Sequence, residues 1–188
     1  MTPILRRAAA LGATLVAGLG AAHAAVLGVA RIEITTTNGD YTQVAEVVAM
    51  SGGQDVALTA TATASSMVTD WNLAPASNAI DGNTGGDFDA DGIYHGEFGD
   101  VLTISFNGAT FDLDALTIYG RTDCCTERDV YTVKLFGIDG AVLFEQSNLA
   151  ANGGAVSANI ASAVPVPGAF LLFGPAIAGL AAARRRRA

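Results

Sequence analysis

The sequence predicts an all-β fold, an antiparallel sandwich of short strands, and three observations predict it. Apolar and polar residues alternate in short runs, Gly, Asp and Asn fall between the runs, and no 3.6-residue apolar period is sustained from residue 25 to 163. In chain order, Ile32 and Ile34 alternate with polar neighbours, then Leu102, Ile104 and Phe106, then Leu116 and Ile118, then Tyr131, Val133 and Leu135. Asp139-Gly140, between Phe136 and Val142, is a hairpin turn signal. The 22 glycines argue against long helices, in which each costs about 1 kcal/mol relative to alanine. A domain spanning 25–163 is long enough to bury a core without cross-links. It shows no internal repeat and no linker before Ala161 to Val166.

The two ends of the 188-residue chain carry signals of a different kind. Arg6 and Arg7 precede an apolar run from Ala8 to Ala21, and Ala22-His23-Ala24 supplies a small-x-small cleavage pattern, so residues 1–24 are expected to be a signal peptide. At the other end Val164-Pro165-Val166-Pro167 leads into an apolar stretch closed by Arg184 to Arg187. From Val164 to Ala183 this stretch would span roughly 30 Å as a transmembrane helix, kinked at Pro175. The positive-inside rule then keeps the arginines cytoplasmic and the domain across the membrane. The order of Pro-rich tetrad, apolar helix and arginine cluster over 164–188 resembles the PEP-CTERM sorting signal in its VPLPA variant, with Val166 and Gly168 as departures. That resemblance implies export to a cell envelope, an exosortase-type sorting enzyme as partner, and cleavage near the tetrad.

The formal net charge of −8 hides an asymmetry. From Ala25 to Ala163 only Arg31, Arg121, Arg128 and Lys134 stand against all 18 acidic residues, a balance of −14 that would repel a phosphate backbone and so argues against nucleic-acid binding.

Both cysteines and two of the four cations of that region fall in Arg121-Thr122-Asp123-Cys124-Cys125-Thr126-Glu127-Arg128. In an exported protein two cysteines are expected to pair. Adjacent Cα atoms, however, lie about 3.8 Å apart, below the usual range, so a bond would close a strained ring. The alternative is two small apolar side chains that never oxidise. The guanidiniums could be neutralised by Asp123 and Glu127, or could present fixed donors to vicinal sugar hydroxyls. His95, the only histidine left after signal removal, would add a directed donor or acceptor.

The stretch from Ala57 to Phe136 resembles the fucolectins, the fucose-binding branch of the discoidin-like jelly rolls. The resemblance rests on His95, the 25 residues after it, and the block Arg121 to Arg128, with support from Ala62-Thr63-Ala64-Ser65-Ser66 and Ala79-Ile80-Asp81-Gly82-Asn83. It implies a jelly-roll β-sandwich in which His95, Arg121 and Arg128 hydrogen-bond a sugar and a Cys124–Cys125 disulfide packs against its apolar face. Val101 to Phe106 and Asp91-Gly92-Ile93-Tyr94 depart from the family pattern. Ala30-Arg31-Ile32-Glu33-Ile34 and Val44-Ala45-Glu46-Val47-Val48 resemble strands that close such a domain, so the chain reads as circularly permuted.

Asp87-Phe88-Asp89-Ala90-Asp91-Gly92 has the start of an EF-hand loop, but Phe98 occupies the twelfth position where a bidentate Glu is needed, and no helix flanks it. The resemblance instead implies a calcium site at Asn78, Asp81 and Asn83, completed by Glu46. One histidine, no paired metal-binding histidines and no nucleophile elbow leave few catalytic parts, so the chain is expected not to be an enzyme. Two functions remain in view: a calcium-stabilised, lectin-like module for a fucose-like sugar or exopolysaccharide, and a structural envelope or biofilm protein with no sugar site.

Overall fold

The computed structural model of the protein describes residues 25–68 and 74–160. The expected signal peptide, and the expected sorting tail and transmembrane helix, lie outside these residues. Among the described residues no α-helix occurs, and none is long and apolar enough to cross a membrane.

Thirteen strands follow one another: β1 (Val26–Val29), β2 (Arg31–Thr36), β3 (Tyr41–Val44), β4 (Glu46–Ser51), β5 (Gln54–Asp55), β6 (Thr61–Ala64), β7 (Tyr94–Phe98), β8 (Leu102–Ser105), β9 (Phe111–Leu113), β10 (Ala115–Tyr119), β11 (Val130–Phe136), β12 (Val142–Ala150) and β13 (Ala155–Ser157). They form a five-stranded sheet in the order β12-β11-β2-β8-β6, a four-stranded sheet β13-β10-β4-β5, and the ribbons β1-β9 and β3-β7. Every pairing is antiparallel.

The fold follows from the two-residue period anticipated above. Ile32 and Ile34 of β2, Leu102 and Ile104 of β8, and Tyr131, Val133 and Leu135 of β11 all turn to one face and are fully buried. Val47 and Ala49 of β4 meet them in one cluster with Leu116 and Ile118 of β10. Two open sheets sharing one core is the arrangement of a β-sandwich. Each large aliphatic side chain so buried contributes about 1.5–3 kcal/mol. The turn at Asp139-Gly140 joins β11 to β12, with Gly140 at φ +80° and the Gly137 N–H donating to the Ala141 carbonyl at 2.9 Å.

The ribbon β3-β7 and the loop from Gly120 to Asp129 lie outside both main sheets and carry the residues of interest. A second, smaller cluster of Ala45, Ala74, Phe88 and Ile93, with Tyr119 against it, packs next to them. The ribbon is irregular. Tyr41 pairs with Phe98 and Gln43 with His95, so two residues of β3 span three of β7 and a bulge falls in β7.

Candidate functional site

The loop leaving β10 is fixed before it reaches the cysteines. Gly120 N–H donates to the Gly154 carbonyl at 2.8 Å, Thr122 N–H to the Gly86 carbonyl at 2.8 Å, and Arg121 N–H to Asp129 Oδ2 at 2.7 Å. Gly86 has to be glycine, because a Cβ there would stand 2.5 Å from the Gly120 oxygen. A disulfide joins Cys124 to Cys125, and Cys125 takes a left-handed conformation, φ +58°, that opens the short 3-10 turn Thr126–Arg128. That turn returns the chain so that both arginines, seven positions apart, face one pocket.

The pocket holds about 310 Å³ and is lined by Tyr41, His95, Arg121, Cys124, Cys125 and Arg128. All five residues expected at the sugar site therefore lie on one surface, although β7 and the loop are separated by three strands in the chain. A volume at the low end of ligand pockets suits a small ligand.

The two arginines are held differently. Arg121 gives its Nε–H and one Nη2–H to the two oxygens of Asp123, at 2.7 and 2.8 Å, and its guanidinium lies 4.9 Å from the Phe88 ring centre. The Arg121 guanidinium in turn holds the Asp123 carboxyl down at about 2. Arg128 is looser, with Nε 3.7 Å from Asp40 Oδ1 and its guanidinium 5.2 Å from the Tyr41 ring centre.

His95 is buried, in edge contact with the Tyr41 and Phe88 rings. Nδ1 faces the Gly96 carbonyl at 3.1 Å, which can only accept, so the proton sits on Nδ1 and Nε2 accepts from Gln43 Nε2 at 2.9 Å. Burial, with the nearby charges of Arg121 and Arg128, lowers the pKa of the ring and keeps it neutral. Both ring nitrogens are thus engaged, and a ligand hydroxyl bonding His95 takes the place of Gln43 on Nε2.

Behind the pocket, Asp129 is fully buried. Its Oδ2 takes the Arg121 N–H, its Oδ1 has no hydrogen-bond partner, and the neighbouring Tyr131 hydroxyl donates to the Gln43 carbonyl at 2.5 Å. Burial pushes the Asp129 carboxyl up to about 7, against the pull of the Arg121 N–H.

Of the residues expected to hold calcium, Glu46 is fully buried on β4. Its Oε2 accepts the Gly82 N–H at 3.1 Å and its Oε1 has no hydrogen-bond partner. Desolvation, and to a smaller degree the adjacent Asp81 charge, pushes its carboxyl up to about 7. Asp81 turns back on the Asn83 N–H at 2.8 Å. Asn83 is committed to its own loop, with Nδ2 on the Asp91 carbonyl at 2.9 Å and Oδ1 accepting Gly85 N–H at 3.0 Å. Asn78 Nδ2 reaches the Ile93 carbonyl at 3.4 Å. Among the described residues no three His, Cys, Asp or Glu side chains converge, and this set supplies only two such side chains. The Asp87–Asp91 loop satisfies its own backbone, Asp87 Oδ1 accepting from Asp89 and Ala90 and Asp91 Oδ2 from Asp87.

Tyr41, Gln43 and Asp129 were not singled out by sequence reasoning. Tyr41 and Gln43 stand more than fifty residues upstream of His95, and only the β3-β7 register brings them to it. Asp129 directly follows the Arg121–Arg128 block, and its position there was the available signal. Comparison of the chain with protein-family models, with curated proteins and with solved structures returns no match.

Proposed function

We propose that this chain is an exported, envelope-associated carbohydrate-binding module of the fucolectin type, non-catalytic, with a permuted jelly-roll domain, and that the pocket of Arg121, Arg128, His95 and the Cys124–Cys125 disulfide takes a fucose-like sugar or a unit of exopolysaccharide. The observation that carries the reading is the composition of that one pocket. It combines one fixed and one looser guanidinium, a neutral imidazole and two apolar sulfur atoms. Such a surface suits a ring with hydroxyls on one face and C–H groups on the other.

Charge bookkeeping favours a neutral ligand over an anion. Arg121 is matched by Asp123 and Arg128 by Asp40, so the formal charges at the pocket cancel inside a domain that is strongly acidic. A carboxylate or phosphate would meet no net attraction, whereas a hydroxyl needs only the donors. Three guanidinium N–H groups of Arg121 are left after its two bonds to Asp123.

Calcium fits the second site on one physical ground. Glu46 Oε1 is a buried carboxylate oxygen without a donor, and such an atom is costly unless a proton or cation meets it. Glu46 and Asp81, with Asn78 three residues before Asp81 in the chain, would hold the ion, which would tie the loop after Ile80 to β4. The permuted jelly roll is supported by the interior positions of β2 and β4, which the chain enters first and the sheets place between other strands.

The test is calorimetric titration of the protein with fucose and a panel of deoxy-sugars. Arg121→Ala, Arg128→Ala and His95→Ala are each expected to weaken binding about ten- to a hundredfold, the worth of a charge-assisted hydrogen bond of about 1.5–3 kcal/mol, with the fold retained. Wild-type silence across the panel, or unchanged affinity in all three variants, would refute the proposal.

A further inference from the structure

We infer that the site does not end at the pocket: Tyr41 and Phe98 form an aromatic shelf continuous with it, so that the ligand is a glycan of at least two units, one in the pocket and the next stacked on Phe98. This rests on the sugar-pocket reading and extends it.

In a regular strand His95 and Phe98, three residues apart, would point to opposite faces. The bulge changes that. Tyr41 and Gln43 share a face of β3 and pair with Phe98 and His95 respectively, so the extra residue in β7 returns Phe98 to the face that carries His95. The ring contacts agree, with the Tyr41 centroid 5.3 Å from His95 and 4.0 Å from Phe98. Tyr41 lines the pocket, and Phe98 stands beyond it, 64% exposed.

The surroundings hold this placement in position. Gly96 lies in the bulge, and a Cβ there would overlap the Tyr94 hydroxyl and the Asp100 carboxylate. Asp100, itself buried, ties down the turn after Phe98. Its carboxylate accepts from the Ser65 and Tyr94 hydroxyls and from the Ser66 N–H at 3.0 Å, and its carbonyl accepts from Thr42 Oγ1 at 2.9 Å. Glu97 N–H donates to Ser66 Oγ at 3.0 Å. A phenyl ring is thus held open to solvent by a bulge that needs glycine, next to a pocket with a sulfur floor. Its flat apolar face suits the C–H face of a second pyranose.

The experiment is calorimetric titration of the full chain with methyl α-L-fucoside and with a disaccharide carrying α-L-fucose on galactose, for wild type, Phe98→Ala and Phe98→Tyr. Wild type is expected to bind the disaccharide about three- to tenfold more tightly than the monosaccharide. Phe98→Ala should erase that gain and leave the monosaccharide unchanged, and Phe98→Tyr should keep it. Because Phe98 is exposed, its loss does not threaten the fold. Equal affinity for the two sugars in wild type, or a gain that survives Phe98→Ala, overturns the shelf and leaves the pocket standing. No binding of either sugar overturns both. A dimer in sedimentation that Phe98→Ala dissolves would reassign the ring to a subunit contact and likewise overturn the inference.

Discussion

Asp129→Asn reports on the buried network behind the pocket, and its effect depends on pH in a direction that follows from the structure. Asp129 is fully buried, with Oδ2 on the Arg121 N–H and Oδ1 unpartnered. Its carboxyl titrates at about 7 instead of the usual 3.8, chiefly because burial disfavours the charge. Between those two values the folded chain keeps a proton that the unfolded chain has released. Stability is therefore full below about pH 4, falls as pH rises toward 7, and levels off above. A displacement of that size corresponds to at most about 4 kcal/mol. Asparagine is neutral at every pH, its Oδ1 can accept the Arg121 N–H, and its Nδ2 can donate to the Tyr131 oxygen. Below about pH 4, where the carboxyl is protonated in both states, the two proteins should agree within about 1 kcal/mol; at pH 5 the variant should lead by about 1.6 kcal/mol and at pH 8 by up to about 4 kcal/mol. Urea unfolding at pH 5, 6, 7 and 8 measures this. Glu46, also held up at about 7, contributes in the same direction in both proteins, so the difference between them isolates Asp129. A difference that stays constant from pH 5 to 8 would refute the reasoning.

Gly96→Ala should destabilise the chain by about 1–3 kcal/mol, because the new Cβ overlaps the Tyr94–Asp100 pair, and a thermal melt checks it. Calcium should raise the melting temperature, the gain reaching about 2.7 kcal/mol at a hundredfold excess over Kd, and Glu46→Gln should remove the response; no shift in wild type at millimolar calcium would eliminate the metal site. The mature chain from the native host should begin near Ala25, which N-terminal sequencing decides.

What the sequence made legible was whatever the two-residue period and the turn residues encode locally. Ile32-Ile34, Leu102-Ile104 and Tyr131-Val133-Leu135 each mark a strand because one face of each meets a core, and Asp139-Gly140 marks the hairpin because its glycine sits at positive φ. The five expected pocket residues were legible as a set only through the resemblance to the fucolectins, since nothing in their spacing brings His95 to Arg121. Tyr41, Gln43 and Phe98 were not legible at all. Their juxtaposition comes from a register with one extra residue in β7, and a bulge has no local sequence signal beyond a glycine such as Gly96. The fixed state of His95 was likewise hidden, because its partner Gln43 lies on β3, a strand that no pattern in the sequence marked.

The contrast between the two arginines explains how one short block can be both rigid and receptive. Arg121 has lost its freedom before any ligand arrives: its backbone is held by Asp129, its guanidinium plane by Asp123 and Phe88, and only 11% of the side chain is exposed. Donors fixed in this way cost little ordering on binding, so in the proposed sugar site they would select for hydroxyls at set positions. Arg128 is 30% exposed, and its 3.7 Å approach to Asp40 is too long to be a hydrogen bond, so it can move to meet a ligand. The disulfide lies in the loop between them and supplies apolar surface where a polar residue would compete with the arginines for the hydroxyls of the proposed sugar. On the proposed reading, a rigid donor on one side, an adaptable one on the other and sulfur between them would discriminate by shape and hydroxyl pattern rather than by charge, which an acidic domain could do for a neutral glycan and could not do for an anionic one.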